Sequence, residues 1–94
     1  MKVTVKLFTT LRELAGKGEV TVETNNKLTV ATLLRKLEER YGEEFREYVY
    51  DENGNVKGFL QFLVNGKSVE TFQGLKTRLK DGDTVAILPP VGGG

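Results

Sequence analysis

Polar and apolar residues alternate strictly at the start of the chain: in VTVKLF, Val3, Val5 and Leu7 fall on one face and Thr4, Lys6 and Phe8 on the other. That period of two predicts a strand with one buried side. The next segment, TLRELAG, places Thr10 and Glu13 at capping-box spacing and Gly16 where a helix would stop, which predicts one short helical turn. Alternation resumes in EVTVET, with Val20 and Val22 inward and Glu19, Thr21 and Glu23 outward. The connection is too short for a crossover helix, so the first two strands should pair antiparallel.

After a turn at NNK the period changes. Val30, Leu33, Leu34, Leu37 and Tyr41 recur at helical spacing, with Thr29 as a candidate N-cap and Gly42 as terminator. Arg35, Lys36, Glu38, Glu39 and Arg40 fall mostly off that stripe and read as a solvated face. Residues 43–58 read as an insertion: Phe45, Tyr48 and Val49 suit a short helical segment, and Asn53-Gly54 a turn. In FLQFLVNG, Leu60, Phe62 and Val64 share one face and Phe59, Gln61 and Leu63 the other, ahead of an Asn65-Gly66 turn. KSVET suggests a short return strand. A turn at Asp81-Gly82-Asp83 then leads into a last strand from Thr84 to Leu88, where Val85 and Ile87 alternate with Ala86 and Leu88. One helix crossing a mixed sheet of four to five strands makes an α+β domain of two layers. The order strand, strand, helix, strand, short strand, strand is that of a ubiquitin-like β-grasp.

Composition narrows the chemistry more than the fold. At 94 residues the chain is one small domain, expected as a folded core over 1–90 and a flexible tail over 91–94, and its 38% hydrophobic residues supply one core. Cysteine and histidine are absent, which removes disulfides, thiolate or imidazole metal ligation, cysteine nucleophiles and the commonest general base. Fourteen basic residues against thirteen acidic ones leave a charge of +1, so nothing electrostatic points to nucleic acid or an anionic membrane. With no long apolar run and no basic leader segment, a cytoplasmic location is expected. VNGKSV lacks the glycine spacing and following helix of a phosphate loop. No bound cofactor is expected.

The remaining candidate chemistry lies in AILPPVGGG. Pro89 and Pro90 cannot continue a sheet ladder and hold φ fixed, which aims the following residues away from the sheet. Val91 is the last side chain able to anchor in a groove. Glycines at 92, 93 and 94 present the least width to a narrow channel. A run of terminal glycines is also what an inert mobile end looks like. A second candidate is the outward set Phe8, Leu63, Ala86 and Leu88, which would form an apolar patch on the helix-free face, unless the 43–58 insertion covers it. Arg12, Lys76, Arg78 and Lys80 would surround the tail or be plain solvated charges.

LFTTLRELAG, LLRKLEERYG, FLVNGKSV and above all LKDGDTVAILPPVGGG resemble the MoaD family, the small subunit of molybdopterin synthase, over nearly the whole chain. The resemblance implies a sulfur carrier rather than an enzyme by itself. It implies that a ubiquitin-activating-like adenylyltransferase uses ATP to adenylate the carboxylate of Gly94, beside Gly93. The thiocarboxylate that follows gives its sulfur to the molybdopterin precursor within the large subunit of molybdopterin synthase. Phe8, Leu63, Ala86, Leu88, Pro89, Pro90, Val91 and Gly92 would then meet those partners. Gly92 departs from the small Ala or Ser often found before the family's diglycine. The same ending suits two related roles, a ubiquitin-like modifier joined to lysines through Gly94 and a thiamine-pathway sulfur carrier. The 43–58 insertion and the Pro-Pro ending favour the molybdopterin branch.

Overall fold

The computed structural model describes residues 1–90. Strand β1 (Lys2–Leu7) buries Val3, Val5 and Leu7, as its alternation requires. It leads through Phe8 into helix α1 (Thr9–Ala15), which ends at Gly16 in the left-handed region, φ 81°, where a side chain would meet steric resistance. Strand β2 (Glu19–Glu23) pairs antiparallel with β1 in the register Val3↔Val22 and Val5↔Val20. Strand β3 (Leu28–Thr29) precedes the main helix α2 (Val30–Tyr41). Thr29 caps α2 as the sequence predicts: its hydroxyl accepts the Thr32 amide, and the Thr32 hydroxyl accepts the Thr29 amide. Val30, Leu33, Leu34 and Leu37 are buried, while Tyr41 is half-buried at the stripe's end.

Helix α3 (Glu43–Val49) follows at once, and Phe45 and Val49 enter the same core as the α2 stripe. Strands β4 (Gln61–Val64) and β5 (Lys67–Ser68), β6 (Arg78–Leu79) and β7 (Thr84–Leu88) complete the chain. The main sheet runs β2-β1-β7-β4-β5; β1 and β7 are parallel and the other pairs antiparallel. First and last strands thus lie side by side at its centre, with the helices' apolar residues on one face: the ubiquitin-like β-grasp.

Four expectations need correction. The Thr10–Glu13 capping box does not form: Phe8 is the N-cap, without a side-chain cap bond, and Thr10 already lies inside α1. The helix begins earlier because the chain turns straight out of β1 through Thr9 at φ 46°. KSVET is a strand for two residues only; it curls into a 3-10 turn at Val69–Thr71, which draws Val69 into the core. A second small sheet, β3 with β6, pairs Leu28 with Leu79 and is absent from the sequence reading. Finally, residues 43–49 do not cover the helix-free face; they pack with α1 and α2 on the other side.

Candidate functional site

The last strand sets the geometry of the site. β7 is held on both sides: Lys6 and Leu63 are the register partners of Ala86, and Gln61 is the partner of Leu88. Alternation sends Val85 and Ile87 into the core, so Ala86 and Leu88 emerge on the opposite face with Leu63. These three are half-buried. Phe8, just beyond the paired part of β1, is 38% exposed at the same end of the sheet as Leu88. The structure therefore brings together the four apolar residues that the alternation selected.

Pro89 is half-buried and Pro90 exposed. Neither has an amide hydrogen, so pairing along β7 ends where they begin. The predicted tail residues Val91, Gly92, Gly93 and Gly94 lie outside the described residues.

Charges sort differently from the sequence expectation. Arg12 does sit at this end: its side chain lies against Gly18, at the start of β2. Lys80 and Arg78 do not. Lys80 belongs to the turn entering β7, the far end from Pro89, and Arg78 pairs with Thr29 in the small sheet. Along β1 and β2 the same face is polar, with Lys2 and Glu23 3.4 Å apart. Such an exposed pair contributes little stability.

No catalytic constellation appears among the described residues. One depression among the described residues, about 640 Å³, is lined by Arg35, Arg46, Glu47, Tyr50, Asp51 and Lys57 among others. Its cations are already engaged. Arg35 stacks 4.9 Å from the Tyr50 ring centroid and pairs with Glu38 at 3.3 Å. Arg46 pairs with Glu43, and the Lys57 ammonium donates to the Glu47 carbonyl at 2.6 Å. Burial raises the Tyr50 pKa above its ordinary value, against a lowering influence from Arg35. No group of three or more Asp, Glu, His or Cys among the described residues is placed to hold a metal, and no helix there is long and apolar enough to cross a membrane.

Two exposed aromatics, Phe59 and Phe72, stand outside the set that the sequence offered as a site. Phe59 is 43% exposed, two residues before β4, with its ring edge-to-face against Tyr48 at 6.1 Å. Alternation grouped it with Gln61 and Leu63. It lies instead in a turn closed by the Leu60 amide on the Lys57 carbonyl, where a strand period no longer applies.

A model of the ThiS family matches residues 5–94. Small archaeal modifier protein 3 of Haloferax volcanii is 35% identical over 94 residues, the whole of both chains. Sulfur carrier protein CysO of Mycobacterium tuberculosis is 35% identical over 96 aligned positions, again the whole of both chains. Among solved structures, the putative molybdopterin converting factor, subunit 1, of Pyrococcus furiosus superposes with a TM-score of 0.75 at 36% identity, covering 97% of this chain and 99% of that one.

Proposed function

The chain belongs to the ThiS family of ubiquitin-like sulfur carriers and modifiers, and from that premise we propose that its working group is the carboxylate of Gly94. The observation that carries this reading is the combination at β7: a strand locked at the sheet centre, two prolines that end its pairing, and a glycine run that the family match includes. A carboxylate is a poor electrophile at neutral pH, since it is charged and lacks a leaving group. A partner adenylyltransferase joins it to AMP from ATP, releasing pyrophosphate. A persulfide of the sulfur donor then displaces AMP, its outer sulfur bonding to the acyl carbon as the bond to the phosphate oxygen breaks. A second thiol cleaves the resulting acyl disulfide, itself becoming part of a disulfide and leaving Gly94 as a thiocarboxylate. The described residues of this chain hold the exit and supply the docking surface of Phe8, Leu63, Ala86 and Leu88; they perform none of these steps themselves.

For the acceptor, we infer the precursor of molybdopterin, bound by the large subunit of a molybdopterin synthase. The likeness to the Pyrococcus converting-factor subunit over nearly the whole chain supports this. A second reading has its own support, the full-length similarity to an archaeal modifier. In that role the activated Gly94 forms an isopeptide bond with a target lysine.

Intact-mass measurement after incubation with ATP and soluble extract of the source organism tests these readings. Exchange of one carboxylate oxygen for sulfur adds about 16 Da, and alkylation at Gly94 separates it from oxidation of Met1 because a thiocarboxylate is nucleophilic like a thiolate. An alkylatable gain at Gly94 supports the carrier; lysine adducts through Gly94 support the modifier. Neither product, in an extract with demonstrated activating activity, returns the glycines to an inert end.

A further inference from the structure

Phe8 follows β1 and Phe59 precedes β4, and β1 and β4 are the two neighbours of β7. The end of β7 thus emerges between two segments that each carry an exposed phenylalanine, at 38% and 43% exposure. Phe59 is also held in place. Tyr48 meets its ring edge-to-face, and the Lys57 ammonium lies 5.8 Å from its centroid while bonded to the Glu47 carbonyl. A large ring kept exposed and yet ordered is the form that binding hot spots take, since little side-chain entropy remains to be lost.

Covalent reach turns this arrangement into a constraint on the partner. Four residues follow Pro90, and a fully extended chain of four spans at most about 14 Å. An enzyme whose reacting atoms meet Gly94 therefore comes within that distance of Pro90 and lies over the rim of the exit. The surroundings of Phe59 say what that enzyme presents. A groove between α1 and α3 beside it is lined by Glu13, Glu44, Glu47, Tyr48 and Lys57. The three carboxylates are exposed, while the single cation is already engaged.

We propose that Phe59 is a second aromatic contact, across β7 from Phe8, for the enzyme that acts on Gly94, and that this enzyme offers it an apolar pocket bordered by Lys or Arg. The proposal rests on the reading of Gly94 given above. It adds a residue of the 43–60 region to the docking surface and fixes the chemistry of its counterpart.

The test uses the full chain, the ATP-dependent adenylating enzyme purified from the same organism, and pyrophosphate exchange measured against carrier concentration. Phe59→Ser should raise the half-saturating concentration about tenfold at a nearly unchanged maximal rate, while Phe59→Tyr stays within about twofold of the unaltered chain. Glu44→Lys, on an exposed helix face, should raise it by about fivefold, providing a variant whose folding is not in question. Half-saturation within about twofold for both Phe59→Ser and Glu44→Lys overturns the proposal. So does a fall in maximal rate alone, which would place Phe59 in turnover rather than docking. Absence of exchange with the unaltered chain overturns the Gly94 reading and this proposal together, so the two failures are distinguishable.

Discussion

Asn65 and Asp83 are bonded side chain to side chain, with the Asn65 Nδ2 donating to the Asp83 Oδ1 at 2.9 Å. The Asn65 Oδ1 accepts the Thr84 amide at 2.9 Å, and the second Asp83 oxygen accepts the Lys80 amide at 2.8 Å. One aspartate thereby ties the end of β4 to the turn that starts β7. Asp81 extends the clamp to β1, accepting the Lys2 amide at 2.7 Å. Asp83→Ala should destabilise the fold by about 1 kcal/mol, because it removes two hydrogen bonds whose exposed donors can turn to water instead. Urea unfolding monitored by circular dichroism measures this. The clamp lies at the end of β7 away from Pro89, so folded Asp83→Ala should still be activated at Gly94.

Thr9 carries a different kind of cost. It is a β-branched residue at φ 46°, and it starts α1 without any side-chain cap. The left-handed region penalises such a residue by roughly 1–2 kcal/mol, and glycine escapes that penalty while adding chain entropy to the unfolded state. Thr9→Gly should therefore raise stability by about 0.5–1 kcal/mol. A lower urea midpoint for the glycine variant would show that Thr9 gains more from its surroundings than its backbone angle costs.

Tyr50 links stability to alkaline pH. It is buried, and desolvation raises its pKa above the ordinary 10.0 despite the opposing charge of Arg35; Glu38 adds a smaller rise. The folded state therefore holds the phenolic proton more tightly than the unfolded state. Its contribution is fully present below pH 10 and is lost as the pH climbs through the folded-state pKa. Tyr50→Phe removes that dependence, so its stability should fall less steeply above pH 10 than that of the unaltered chain. Denaturation midpoints across pH 9 to about 11.5 for the two proteins provide the comparison.

The parts of this fold that were legible in the sequence are those where one period governs several turns or pleats. Val3, Val5 and Leu7 announce β1 because each second residue must leave water, and Val30 to Leu37 announce α2 for the same reason at helical spacing. The β3–β6 pair spans two residues on each side, too few for any period. Its formation is decided by α2 and β7 on either side, and so by tertiary structure. Thr9 was missed because nothing in TTLRELAG signals a left-handed threonine. Of the candidate site, the apolar set was legible because Leu63, Ala86 and Leu88 obey the alternation of β4 and β7. Phe59 was not, because it lies in a turn and its exposure depends on α3, through Tyr48 and Lys57.

The apolar set gives a prediction that separates docking from folding. Phe8 is exposed at the N-cap of α1 and makes no cap bond with its side chain. Phe8→Asp should change stability by less than about 1 kcal/mol and yet weaken binding to the activating enzyme about tenfold or more. Leu88→Asp should weaken binding similarly, at a larger stability cost because Leu88 is half-buried beside Gln61. Calorimetric or surface-binding titrations decide the matter. Unaltered affinity in a folded Phe8→Asp protein would remove this face from the site.

Removing Gly93 and Gly94 tests the centre of the proposal. Gly93 and Gly94 have no side chain to bury, so the shortened protein should unfold at the same denaturant midpoint as the full chain. Its new terminal carboxylate belongs to Gly92. The chemistry of a glycine carboxylate is thus preserved, and only its reach is altered, by about 7 Å for two residues. If activation depends on delivering the terminus to a fixed depth in the partner, this shortening should abolish ATP-dependent modification even though the same functional group is still present. If instead the partner accepts any accessible glycine terminus, modification should continue at Gly92. Intact mass of the shortened protein after incubation with ATP and extract distinguishes the two, and persistent modification would mean that the exit geometry at Leu88 and Pro89 does not set the reacting position.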